Sequence, residues 1–211
     1  MHSLNELIGL FLHLDKHLSA IMQQFGSWTY GLFFLVIFAE TGLVVTPFLP
    51  GDSLLFAVGA FAARGSLNVW WLFALLSFAA IIGDGVNYAI GYFLGPKVFQ
   101  KENSRFLKKE YLDKTHRFYE KYGAATIVLA RFVPIVRTFA PFVAGVGKMG
   151  YPRFAAYNIL GGVLWVGLFV WGGYFFGNIP VIKNNFSVTI FVIIGLSLLP
   201  VLIEFCKHRR K

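Results

Sequence analysis

Ionisable residues stand inside apolar stretches long enough to cross a bilayer, and this limits the possible folds more than any other feature. A charged side chain at the bilayer centre costs about 2.5–3.5 kcal/mol on insertion scales, so each needs a counter-charge, a wet cavity or a function. Five such residues lie within or at breaks of apolar runs: Glu40, Asp52, Asp84, Arg131 and Arg137. Several runs reach the roughly 20 residues needed to span hydrocarbon. Only 14% of the 211 residues are charged and 57% are hydrophobic, against about 25% charged in a typical soluble domain. One all-α integral membrane domain is expected, with no second globular unit.

The net charge of +9 raises nucleic acid as a partner, but the positions of the basic residues argue against it. They gather in short loops between apolar runs, as the positive-inside rule and anionic lipid headgroups require. The single cysteine, Cys206, excludes an intrachain disulfide and a cysteine metal cluster. His13, His17 and His116 form no pair with the spacing and third ligand of a metal site. Neither a metal nor a cofactor is expected. No nucleophile triad, phosphate-cradling glycine loop or dinucleotide fingerprint occurs, so the chain is not expected to be an enzyme.

Residues 1–27 read as an amphipathic interfacial helix. Leu7, Leu10, Leu14 and Leu18 recur there at helical spacing beside Glu6, His13, Asp15, Lys16 and His17. The membrane domain occupies 28–206. Residues 28–63 hold two short apolar arms around the break Pro47-Phe48-Leu49-Pro50-Gly51-Asp52, and residues 123–147 hold Arg131, Pro134, Arg137 and Pro141. Both are expected to be re-entrant, broken-helix hairpins, because irregular backbone at membrane depth must be lined by protein or water. Full spans are expected over 68–94, 154–176 and 186–206. A basic cytoplasmic helix or loop covers 95–121, and 207–211 form a basic cytoplasmic tail.

Topology follows from counting charges. With the tail cytoplasmic and each hairpin returning to the side it enters, the cytoplasmic face receives 14 basic residues and the other face three, Lys16, Arg64 and Lys183. If 123–147 crossed instead, the basic loops around it would fall on opposite faces and the bias would weaken. The first hairpin then enters from outside and the second from inside, each followed by a connection and a long span. This is an inverted repeat of the kind that brings broken helices together at the midplane of secondary transporters.

The buried charges carry the chemistry. Arg131 and Arg137 offer planar, permanently charged forks that match phosphate oxygens. Pro134 interrupts the helix between them and exposes backbone groups, and Pro141 adds freedom beyond. Glu40 and Asp52 are candidates for proton relay, because apolar surroundings disfavour a charged carboxylate while a nearby arginine restores it. Two structural readings compete. Glu40 and Asp52 could simply pair with Arg131 and Arg137 as staples, although a buried ion pair is weak evidence of stability. Asp52 also reads as an N-cap. Asp84, Asn87, Tyr88 and Gly91 share one helical face, where close packing with Asp84 hydrogen-bonded across it is the expected role.

These residues resemble the signature of a known family. Glu40-Thr41-Gly42-Leu43-Val44-Val45-Thr46-Pro47-Phe48-Leu49-Pro50-Gly51-Asp52 is similar to the first motif of the DedA family, also called SNARE-associated or VTT-domain proteins. Gly83-Asp84…Tyr88…Gly91 and Arg131-Phe132-Val133-Pro134-Ile135-Val136-Arg137…Pro141…Ala144-Gly145 resemble its other two. The resemblance covers the chain from about Trp28 to Phe205. It implies a bacterial inner-membrane protein with two re-entrant hairpins that moves phospholipid-like substrates between leaflets. Recycling of undecaprenyl phosphate and coupling to the proton-motive force are activities assigned to members. The family's essential acidic pair would fall on Glu40 and Asp52, and its essential arginine pair on Arg131 and Arg137.

The reading is therefore an α-helical lipid-phosphate translocase of the inner membrane, multi-pass, with a cytoplasmic C-terminus. Arg131 and Arg137 bind the phosphate, Glu40 and Asp52 relay protons, and Asp84, Tyr88, Pro47, Pro50, Gly51, Pro134 and Pro141 support them. Its expected partners are a polyisoprenyl phosphate or phospholipid, and protons. No nucleic acid is expected, and a homo-oligomer is compatible with the pattern. A proton-coupled exchanger of small ions or drugs, and a membrane scaffold without transport, are the alternatives.

Overall fold

The computed structural model describes residues 26–43, 51–65, 67–98, 116, 119, 120, 122–177, 179 and 180. Outside them lie most of the expected interfacial helix over 1–27, the break residues Pro47 and Pro50, most of the basic 95–121 segment, the span over 186–206 and the tail over 207–211. Among the described residues every regular element is helical. In chain order these are α1 (Trp28–Gly42), α2 (Gly51–Ala63), α3 (Val69–Val98), a 3-10 turn at Gly123–Ala125, α4 (Thr126–Ala130), α5 (Pro134–Val146) and α6 (Tyr151–Phe176).

Local chemistry sets several of these boundaries. Asn68 starts α3 as an N-cap, its Oδ1 accepting the backbone N–H groups of Trp70 and Trp71 at 3.0 and 3.1 Å. Val133 is extended (φ −123°, ψ 102°) and Pro134 opens α5, which joins the restriction on a residue before proline to proline's fitness for the first helical position. Pro152 occupies the first turn of α6 in the same way. That helix begins at Tyr151, three residues before its expected start.

Length then separates two classes of helix. The stretches Val69–Leu94 and Tyr151–Phe176 have 26 residues each and a mean hydropathy of 1.8, enough to cross hydrocarbon about 30 Å thick. Helices α1, α2 and α5, at 15, 13 and 13 residues, reach only about 20 Å at 1.5 Å per residue and do not. Exposed Ile159, Leu160, Val163, Leu164 and Leu168 line the outer face of α6, a stripe that water would not tolerate. On α3, exposed Trp70 and Trp71 near one end and Tyr92 and Phe93 near the other are separated by about 33 Å of helix. That spacing matches the thickness of the hydrocarbon core, at whose two interfaces aromatic residues gather.

Inside, α1, α2, α3 and α6 share one core. It is built on Phe33, Ile37, Leu55, Val58, Leu72, Leu76, Trp165 and Val170. A smaller cluster joins Tyr88 of α3 to Ile127, Ala144 and Phe154. The closest helix contacts are made through glycine, and they form a reciprocal pattern. A Cβ on Gly59 would lie 2.1 Å from the carbonyl oxygen of Val170, and one on Gly173 would lie 2.0 Å from that of Phe56. These contacts join α2 to α6. A Cβ on Gly145 would lie 2.1 Å from the carbonyl oxygen of Tyr88, and one on Gly91 would lie 2.1 Å from that of Phe142. These join α5 to α3. In all four the oxygen struck belongs to the residue three positions before the opposing glycine. Helices α2 and α5 thus each seat on the long helix of the other half of the chain, while α1 packs on α3 of its own half.

Candidate functional site

The seam between these helices is where the buried charges meet. Arg137 stands in the first turn of α5, and its two terminal nitrogens reach two different helices. Nη1 donates to Asp52 Oδ1 of α2 at 2.8 Å, and Nη2 donates to Glu40 Oε1 near the end of α1. Arg137 is 9% exposed and Glu40 3%, so that pair is shielded from solvent, while the Asp52 side chain keeps 16% of its surface exposed. The sequence allowed Asp52 as an N-cap; the helix instead begins one residue earlier at Gly51, and the Asp52 carboxylate turns to Arg137. Negative charge in the first turn of α2 also lies at the favourable end of the helix dipole.

Gly51 makes this approach feasible. A Cβ on it would fall 1.7 Å from Glu40 Oε2, so any side chain there would displace the carboxylate. Pro141 lies inside α5, which continues through it rather than gaining the freedom expected. Its missing N–H removes the usual helical donor to the Arg137 carbonyl.

Arg131 belongs to a second, adjoining network. It follows the last residue of α4 and opens a turn closed by Val133 N–H donating to the Ala130 carbonyl at 2.9 Å. Its Nη2 donates to Asp84 Oδ2 and to Asn158 Oδ1, both at 2.6 Å, and it is 2% exposed. The Asn158 amide in turn donates to the Ile81 carbonyl at 2.9 Å, fixing which way it faces. Asp84 is therefore the ionic partner of Arg131 as well as a residue of a packed helix face, and Glu40 and Asp52 both go to Arg137. Gly161 and Gly162 make room for the guanidinium: a Cβ on Gly161 would come 3.1 Å from Arg131 Nε, and one on Gly162 3.4 Å from Nη2.

Trp165 ties the two networks together. Its indole N–H donates to Asp52 Oδ1 at 2.9 Å. The guanidinium carbons of Arg137 and Arg131 lie 4.9 and 5.8 Å from its ring centroid, within cation–π range. Asn87 braces the site from α3, donating to the Thr41 carbonyl of α1 at 3.1 Å and the Thr138 carbonyl of α5 at 3.0 Å. Tyr88 stands apart from the arginines. Its hydroxyl donates to the Met149 carbonyl and its ring stacks on Phe154 at 4.4 Å, so it holds the α3–α6 contact.

Reading the sequence found both arginines and all three carboxylates but overlooked Trp165, Asn158, Gly161 and Gly162. All four lie in the segment that passed for an ordinary span. A polar Asn158 followed three residues later by paired glycines was the signal within reach, since such residues mark helix interfaces in membranes.

Two bilayer-length apolar helices, with shorter apolar helices and five ionisable side chains gathered between them, define a helical membrane protein. The chain belongs to the VTT-domain, or DedA, family: the VTT domain matches residues 49–175. It is 55% identical to Protein DedA of Escherichia coli (strain K12) over 206 residues, covering 97% of this chain and 94% of that protein. Uncharacterized membrane protein ML0287 of Mycobacterium leprae (strain TN) is 46% identical over 169 residues, covering 80% of this chain and 76% of its own. Inner membrane protein YqjA of Escherichia coli (strain K12) is 35% identical over 152 residues, covering 72% and 69%. No solved structure matches.

Proposed function

We propose that this protein is a lipid-phosphate translocase (flippase) of the inner, cytoplasmic membrane, recycling undecaprenyl phosphate or a related phospholipid with proton coupling. One observation carries the reading: two buried arginines, Arg131 and Arg137, hold three carboxylates from three other helices around a single indole ring. A phosphate headgroup presents oxygens to a guanidinium fork much as a carboxylate does. It therefore competes with Glu40 and Asp52 for the same N–H donors.

Charge balance links that competition to protons. With every group ionised, three carboxylates outweigh two guanidinium groups. A headgroup adds more negative charge, and a proton taken up by a displaced carboxylate offsets it. The first turns of α2 and α5 present backbone dipoles that favour an anion, while the lipid tail stays in hydrocarbon.

The segments over 28–63 and 123–147 are read as re-entrant hairpins in inverted repeat, with the C-terminus cytoplasmic. Helices too short to span support this, as does the reciprocal glycine pattern that seats α2 on α6 and α5 on α3. Rocking of one half on the other would alternate the access of the charge cluster.

The test is translocation of a defined lipid phosphate by purified protein in proteoliposomes, with and without a pH gradient. Arg131→Lys and Arg137→Lys are each expected to slow it about tenfold or more while the protein remains inserted. Glu40→Gln is expected to abolish its dependence on the gradient. No flux from the wild type would overturn the reading and leave a scaffold. Proton flux without lipid movement, tolerant of both lysine variants, would favour an exchanger.

A further inference from the structure

We propose that Trp165 is a positioning residue that makes Asp52 the fixed counter-ion of Arg137 and leaves Glu40 as the carboxylate that gives way to a phosphate oxygen. The second half of this rests on the translocase reading above.

Arg137 treats its two carboxylates almost alike, giving one terminal nitrogen to each. What distinguishes them is the kind of second donor: Glu40 has the Gly51 backbone N–H at the start of a helix, and Asp52 has a buried indole. The Trp165 indole N–H points at the same Oδ1 that receives Arg137 Nη1. Indole is a donor only, and Trp165 is fully buried, so withdrawing Asp52 would leave that N–H without its acceptor. Withdrawing Glu40 frees Arg137 Nη2, the donor that an incoming phosphate oxygen takes up. The groups facing Glu40 are Arg137 from α5, Asp52 and the Gly51 backbone from α2, and Asp84 from α3; none is an indole. The Trp165 ring also lies against both guanidinium groups, so Arg137 keeps one stabilising neighbour while a carboxylate departs.

A purely space-filling tryptophan would serve as well without its N–H, and Trp165→Phe separates the two roles by keeping an aromatic ring. With isotope-labelled tryptophan, the five indole groups of the chain give five N–H resonances, and Trp165→Phe identifies its own by removing it. The other four report that each variant has folded. Asp52→Ala is expected to move the Trp165 resonance, and Glu40→Gln to leave it in place. In proteoliposomes Trp165→Phe is expected to slow lipid-phosphate translocation about tenfold. That loss should add nothing on top of Asp52→Ala, because the two changes break one bond, and should multiply with Glu40→Gln. The proposal is overturned if the resonance ignores Asp52→Ala, or if the Trp165→Phe loss multiplies with that of Asp52→Ala. Should the wild type move no lipid phosphate, the translocase reading falls, and the resonance alone decides whether Trp165 holds Asp52.

Discussion

Asp52 and Arg137 lie 85 positions apart in sequence and 2.8 Å apart in space. Arg137 also separates Asp52 from Glu40, so removing it leaves two carboxylates facing each other in a buried site. Arg137→Met is expected to destabilise the protein by about 3–5 kcal/mol, the usual result of breaking a buried pair from one side. Thermal unfolding in detergent measures this. The double variant Arg137→Met, Glu40→Gln is expected to recover part of the loss.

Arg131 offers the complementary case. Asp84 is its only carboxylate partner among the described residues, with Asn158 supplying a neutral oxygen. Asp84→Ala strands a buried guanidinium and is expected to cost about 3–5 kcal/mol. Asn158→Leu removes one neutral acceptor and is expected to cost less, about 1–3 kcal/mol. The order of the two melting temperatures checks the assignment, and equal values would refute it.

Gly51→Ala tests the site without touching a charge. Its new Cβ would fall 1.7 Å from Glu40 Oε2, so the carboxylate must swing away from Arg137. Lipid-phosphate translocation in proteoliposomes is expected to show an altered response to a pH gradient. A response identical to that of the wild type would mean that Glu40 has room to spare.

Two glycines, Gly145 in the α3–α5 seam and Gly85 of α3 facing away from it, should behave in opposite ways. Gly145→Ala drives a Cβ to 2.1 Å from the Tyr88 carbonyl and is expected to destabilise by about 1–3 kcal/mol through overpacking. A Cβ on Gly85 of α3 would meet no heavy atom within 4 Å, so Gly85→Ala is expected to be neutral or to gain up to about 1 kcal/mol of helix propensity. Parallel thermal melts of the two variants make the comparison.

Which features were legible in the sequence follows from what a pattern can encode. Hydropathy located α3 and α6 because each is a continuous apolar run of bilayer length. The five ionisable residues stood out against that background for the same reason. Their pairing did not, since nothing local to Arg131 says that it meets Asp84 and Asn158 rather than Glu40. That choice is made by the crossing of α4, α3 and α6, a contact between segments far apart in the chain. Trp165, Gly161 and Gly162 were overlooked because tryptophan and glycine are ordinary in membrane helices. Their role appears only when Arg131 is seen resting on the glycines and both guanidinium groups on the indole.

Order of synthesis gives the arginine–carboxylate network a final consequence. Glu40, Asp52 and Asp84 all leave the ribosome before Arg131 and Arg137, and every ion pair of the site joins an early acid to a late base. A nascent chain halted before Arg131 presents three acids of the site to the translocon and neither of the bases that later pair with them. Its first half must hold those acids without their partners until the second half arrives.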